Sequence, residues 1–466
     1  YRLAARLGPA FLIENDGINS MQVIKSGNHP YWTQARLPQA FAFQPDIVTV
    51  KLGTNDSKPI NWDDSVSFVK DYTAFVDTLK GMASHPQVWS LLPVWCGQTE
   101  IWPPVWTDTS THYETWILGS IIPKIQQVAA AESLNVIDLH TPMLNKTSLY
   151  ISDKLHPNNA GADTIAAVIY RTFLSKVKRV ANVGNGITSY VGTVSGAGAI
   201  DAHPIKLNML LGRGYYVRNL GVTGTSVMRP DTGAPTLSSY WSQKLKLDSL
   251  FAYKPHLVIL NFGTDESRPK IWNTAKFIAA YGAMIDTIRT IVPQPEIRIA
   301  RPTPVFQVGG QWPASLPGGS TDNGVNGNTI NDSVLPALAA IAQAKGVKII
   351  DLNTPFQALQ STQADGLYPN AAGQDTIAHI EFRSITTDTG SGVGLNPKIW
   401  ARHAAAAASS RAIRLTPDRN PGSERMYSPA GRAAGAGEPV AAGVYFTKPV
   451  KAKASEKTEK KVEEKK

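Results

Sequence analysis

The strongest constraint on this chain is that it repeats itself. "DIVTVKLGTNDSKPINW" at 46–62 matches "HLVILNFGTDESRPKIW" at 256–272, and "NVIDLHTPM" at 135–143 matches "KIIDLNTPF" at 348–356. A third pair is "DKLHPNNAG" at 153–161 and "DGLYPNAAG" at 365–373. The separation is steady: 204 residues from Gly17 to Gly221, 210 from Gly53 to Gly263 and 212 from Asp153 to Asp365. Drift that small means loop changes only, so the fold has to be two copies of one domain in tandem. A length of 466 residues accommodates both copies and a tail.

Within a copy, short apolar runs alternate with longer amphipathic ones. "DIVTV", "VWSLL" and "NVIDL" read as buried strands, being short, rich in β-branched residues and bounded by turn residues. "SVSFVKDYTAFVDTLKGM" and "AGADTIAAVIYRTFL" carry apolar residues at helical spacing. This alternation predicts an α/β fold with a parallel sheet covered on both faces. Ligands of such sheets bind beyond the carboxyl ends of the strands, where "GTND" falls. The expected domains are 1–176, lacking its first strand, and 177–388. A linker is expected at 389–410, a small β module at 411–450 and a charged disordered tail at 451–466.

The net charge of +10 suggests nucleic acid until it is located. From Lys398 to Lys466 there are 15 Lys and Arg against 7 Asp and Glu, whereas the rest of the chain holds 31 against 29. The folded part is thus nearly neutral, which argues against a duplex-binding face. No apolar run reaches the roughly 18 residues of a membrane helix. The single cysteine, Cys96, excludes an internal disulfide and reads as a small buried residue. The nine histidines show no metal-ligand spacing, so neither a metal nor another cofactor is expected.

Ester hydrolysis by a serine needs a nucleophile, a base, a group that orients the base, and donors for the oxyanion. Copy one offers three of these: His156 as base, Asp153 to orient it, and Asn55 with the Gly17 N–H as donors. Asp56 and Ser57 read as turn supports, and Ser20 as a poor substitute nucleophile. "NDGINS", "GTND" and "DKLHPN", in this order, resemble the second, third and fifth blocks of the SGNH (GDSL-type) hydrolase family. The resemblance covers about 175 residues of copy one and about 200 of copy two. It implies two tandem flavodoxin-like three-layer α/β/α domains and hydrolysis of esters, often acetylated sugars. The partner so implied is an acylated carbohydrate or another small ester. Three loop tryptophans, Trp95, Trp102 and Trp106, could present flat apolar faces to a sugar ring.

The family's first block carries the nucleophile and resembles "GDSIT". Copy two has "GNGIT" at 184–188, with Gly186 at the serine position. By the 204-residue offset the copy-one serine position falls about 18 residues ahead of Tyr1. Copy two also has Asp265 in place of the Asn and Tyr368 in place of the His, three lesions that read as independent. Gly221 and Asp365 remain, for turn geometry, and Ser189 is a remote substitute nucleophile. The expectation is an esterase whose second copy is a pseudo-enzyme and whose nucleophile is missing from this chain. "RMYSPAGR" and "GVYFTKP" resemble the terminal β modules of many secreted bacterial proteins, which implies export to the exterior or cell surface. The rival readings are a non-catalytic carbohydrate-binding scaffold and a nucleic-acid-binding tail.

Overall fold

The computed structural model describes residues 2–62, 65–98, 114–190, 201–229, 238–313, 324–387 and 444–449. The chain divides into two compact units that part between Ser175 and Lys176, with Val444–Pro449 joining the first. The first unit contains β1 (Phe11–Asn15), β2 (Ile47–Val50), β3 (Gln87–Leu91) and β4 (Asn135–Ile137). The second contains β5 (Lys178–Gly184), β6 (Tyr215–Asn219), the two-residue strands β7 (Thr225–Ser226) and β8 (Ser238–Ser239), β9 (Leu257–Asn261), β10 (Glu296–Arg301) and β11 (Lys348–Asp351). The predicted strands and both predicted copy-one helices form, the latter as Ser65–Lys80 and Asn159–Lys176.

Domain 2 is a flavodoxin-like α/β/α domain. Its main sheet has the order β11-β10-β9-β5-β6, and every pair in it is parallel. Counted in chain order, these five strands run 2-1-3-4-5, so the order reverses between β5 and β9, where such sheets hold their ligands. Strand β9, "LVILN", is buried along its whole length, as a central parallel strand covered on both faces should be. The covering helix Thr274–Arg289 sends Phe277, Tyr281, Met284 and Ile288 inward at three-to-four spacing. In domain 1 the helix Ser65–Lys80 does the same with Phe68, Tyr72, Phe75 and Leu79, all fully buried.

Domain 1 differs in one strand. Its order is β1-β12-β2-β3-β4, where β12 is Val444–Pro449. Strand β12 takes the position that β5 has in domain 2, but it runs antiparallel to both neighbours, pairing Asn15 with Tyr445 and Val50 with Val444. The sheet expected to be wholly parallel is therefore mixed. The physical reason is that β1 and β2 each present an edge of backbone N–H and C=O groups at this position, and an antiparallel strand satisfies them as well as a parallel one. Of the small β module expected at 411–450, this strand is the part within the described residues, and it belongs to the domain 1 sheet. The expected linker and charged tail lie outside the described residues. No described helix is long and apolar enough to cross a membrane.

Candidate active site

Asp153 and His156 meet because they flank one tight turn. Asp153 Oδ1 accepts the backbone N–H groups of Leu155 and His156, both at 2.9 Å, which leaves Oδ2 to meet His156 Nδ1 at 2.6 Å. Burial pushes the Asp153 carboxyl up, but the bonds from the His156 ring and from these two N–H groups outweigh it and hold the group below its usual range. An ionised Asp153 fixes the proton on Nδ1 and turns Nε2 outward as the basic nitrogen. Nε2 has no hydrogen-bond partner among the described residues, and the His156 side chain is 39% exposed. Lys154, at the tip of the turn, has φ +55, in the left-handed region.

Asn55 and Gly17 lie just past the carboxyl ends of β2 and β1. Asn55 is buried and donates Nδ2 to Met21 O at 3.1 Å. The Gly17 N–H is donated to Asn15 Oδ1 at 3.0 Å, so in this structure it closes its own turn. Asp56 is wholly buried, and its Oδ1 accepts the Val23 and Ile24 N–H groups at 3.0 and 3.1 Å. It ties the segment that follows the second motif to the turn of the third. Burial raises its pKa to about 7. Asp16, between Asn15 and Gly17, went unnoticed in the sequence. Its carboxylate is buried, neither oxygen has a hydrogen-bond partner, and burial with help from Glu14 raises its pKa to about 7 against an opposing pull from Arg36. At the equivalent position domain 2 has Leu220.

Domain 2 keeps the turns and changes the chemistry. Asp365 Oδ1 accepts the Leu367 and Tyr368 N–H groups at 2.9 and 2.8 Å, and Gly221 donates its N–H to Asn219 Oδ1 at 3.0 Å. Gly221 must be glycine, because a Cβ there would lie 2.3 Å from the Ser189 N. Tyr368 is buried, and its hydroxyl would lie 3.0 Å from a Cβ on Gly186, with Cε1 at 3.1 Å. The phenol therefore fills the space where a residue-186 side chain would stand. Burial raises the Tyr368 pKa, and the nearby Asp265 and Asp365 carboxylates raise it further. Asp265 is itself buried and pairs with Arg268 at 3.7 Å. Gly186, Asp265 and Tyr368 thus converge on one place, at the switch point between β5 and β9.

The sequence profile of the GDSL-like lipase/acylhydrolase family matches residues 1–164 and 183–376, one stretch per domain. The chain belongs to this family. An acetylxylan esterase of Xylanibacter ruminicola is 31% identical over 176 residues, which cover 36% of this chain and 37% of that protein. The match thus spans little more than a third of that relative's length. Among solved structures, a carbohydrate acetylesterase from Sinorhizobium meliloti is similar at 15% identity and a TM-score of 0.37, over 45% of this chain and 99% of that one. A native aryl esterase of M. smegmatis gives the same identity, coverage and score.

The remaining candidates of this GDSL-like chain fall out as follows. Trp95 packs edge-on against Tyr150, with centroids 5.5 Å apart, and folds over Gly97, where a Cβ would meet its ring at 2.4 Å. Trp102 and Trp106 lie outside the described residues. Ser20 is exposed at φ +65 beyond β1. Ser189 Oγ bonds Thr223 Oγ1 at 2.8 Å. Cys96 is buried. Among the described residues no group of three or more His, Cys, Asp or Glu is placed to hold a metal ion.

Proposed function

We propose that this protein removes O-acyl groups, foremost O-acetyl, from a carbohydrate, with domain 1 as the reactive copy and domain 2 as a non-catalytic one. The observation that carries the reading is the Asp153–His156 pair: a 2.6 Å bond to Nδ1, with Nε2 left unpaired among the described residues. In the proposed reaction a hydroxyl attacks the acyl carbon and passes its proton to His156 Nε2. The carbonyl π electrons move onto oxygen, and the reading assigns Asn55 as the donor to this oxyanion. Collapse expels the sugar alkoxide, which takes the proton back from His156, and water then releases acetate by the same route. The hydroxyl belongs to the family's first block, whose counterpart in domain 2 is Gly186. The acetylxylan esterase name of one relative supports the substrate class. Domain 2 is assigned no turnover because glycine, a buried carboxylate and a phenol with a raised pKa stand at its three reacting positions.

The test is acetate release from acetylated xylan and from p-nitrophenyl acetate by the natural protein. His156→Ala should lower kcat/KM by about 10³-fold or more. Unchanged turnover in that variant would refute the assignment. Binding of acetylated xylan without any acetate release would favour the scaffold reading instead.

A further inference from the structure

We propose that Glu114 and His140 are positioning residues for the Asp153–His156 turn. The proposal rests on the esterase reading above for its kinetic consequence and on geometry alone for its structural one. Glu114 opens the short helix Glu114–Trp116, and His140 follows β4 at the start of the helix His140–Met143. Glu114 Oε1 meets His140 Nε2 at 2.6 Å, and Glu114 Oε2 accepts the Cys96 N–H at 2.8 Å. The next residue, Gly97, donates its N–H to Lys154 O at 2.8 Å. Lys154 is the residue at φ +55, a conformation that favours glycine, between the catalytic Asp and His. One chain of bonds therefore runs from a buried imidazole, through a carboxylate and a loop, to the strained centre of the turn. His140 is only 5% exposed, so this end of the chain is shielded from water and fixed by packing.

The second domain shows what happens without the clamp. The loop-to-turn bond is kept there, as Phe306 N–H to Gly366 O at 2.8 Å. Both clamp residues are gone. The π-helical turn Ile117–Ile121 that follows Glu114–Trp116 recurs as Ile330–Val334 after Gly327–Thr329, which sets Gly327 opposite Glu114, and the repeated "IDL" motif sets Asn353 opposite His140. A Cβ at Gly327 would lie 2.5 Å from Val305 O, and Asn353 turns to bond Pro302 O at 3.1 Å. The turn residue there is Gly366 at φ +78, which needs no support, and Tyr368 replaces the histidine. The clamp is present where the turn is strained and its histidine basic, and absent where neither holds.

The test transplants the domain 2 residues into the natural full-length protein as Glu114→Gly with His140→Asn. It is read by kinetics on p-nitrophenyl acetate and by amide hydrogen exchange. Loss of the clamp should lower kcat at least about tenfold with KM changed less than about twofold, since misplacing a base costs rate before binding. Exchange at the Gly97 amide should speed at least about tenfold while the β3 amides keep their protection. Glu114→Gln, which retains an acceptor for Cys96 and an N–H for the imidazole, should hold kcat within about threefold. It serves as the second variant should the double one fold poorly, paired then with His140→Asn alone. Faster Gly97 exchange with an unchanged kcat would overturn the positioning role, and unchanged exchange would overturn the clamp itself. If the natural protein has no His156-dependent turnover, the esterase reading falls, and Gly97 exchange still decides whether the clamp holds the turn.

Discussion

Gly186 and Tyr368 offer a prediction whose sign should reverse. In domain 2 a Cβ on residue 186 would stand 3.0 Å from the Tyr368 hydroxyl and 3.1 Å from Cε1, inside ordinary van der Waals contact. The tyrosine has little room to yield, because it is buried and its backbone N–H is held by Asp365 at 2.8 Å. Overpacking of this kind costs about 1–3 kcal/mol. Set against it, Gly→Ala where the backbone is not left-handed stabilises by about 0.4–1 kcal/mol through the unfolded chain. Gly186 is not among the positive-φ glycines, so this gain applies. Gly186→Ala alone should therefore destabilise domain 2 by roughly 1–2 kcal/mol. In a Tyr368→Ala background the space is open, and the same change should stabilise by about 0.5 kcal/mol. The coupling, near 2 kcal/mol, is large for a double-mutant cycle, where distant sites add within about 0.5 kcal/mol. Hydrogen exchange of the β9 amides in the full chain reads domain 2 separately from domain 1. If Gly186→Ala stabilises domain 2 while Tyr368 is present, the phenol does not fill that space and the account of the second site fails.

Two further outcomes follow from the sites. Asp16→Leu, which installs the domain 2 residue, should stabilise domain 1, and more so at higher pH. The folded pKa of about 7 lies above the ordinary carboxylate range, so ionisation of the wild-type carboxyl costs nothing below the unfolded value. Stability is then lost as pH rises towards 7, by up to about 4 kcal/mol, and the Leu variant should show a flatter pH profile in chemical denaturation. In a His156→Ala background, rebuilding domain 2 as Gly186→Ser, Asp265→Asn and Tyr368→His should raise p-nitrophenyl acetate turnover at least about tenfold. No gain would mean that the second copy lacks more than these three side chains.

What the sequence could and could not reveal follows from how local each interaction is. Strand positions and the Asp153–His156 pair were legible because their signals span a few residues: alternation within "DIVTV", and two side chains three apart on one turn. Glu114 and His140 were not, since 26 residues separate them and their domain 2 counterparts, Gly327 and Asn353, are different residues. The Gly17 N–H looked like a donor awaiting an oxyanion, and only coordinates show Asn15 taking it. Strand β12 lies almost 400 residues from the β2 strand it pairs with, and backbone pairing leaves no composition signal at that distance. The three lesions of domain 2 read as independent losses, yet two of them form one contact, because Tyr368 occupies the volume that Gly186 leaves open. Random loss at a site leaves cavities, and a cavity costs roughly 24 cal/mol per Å³. A glycine and a tyrosine that fill each other's space avoid that cost. The two residues therefore pack as one unit, which fits the persistence of the sheet and of the Gly221 and Asp365 turns alongside different side chains at 265 and 368 from those at 55 and 156.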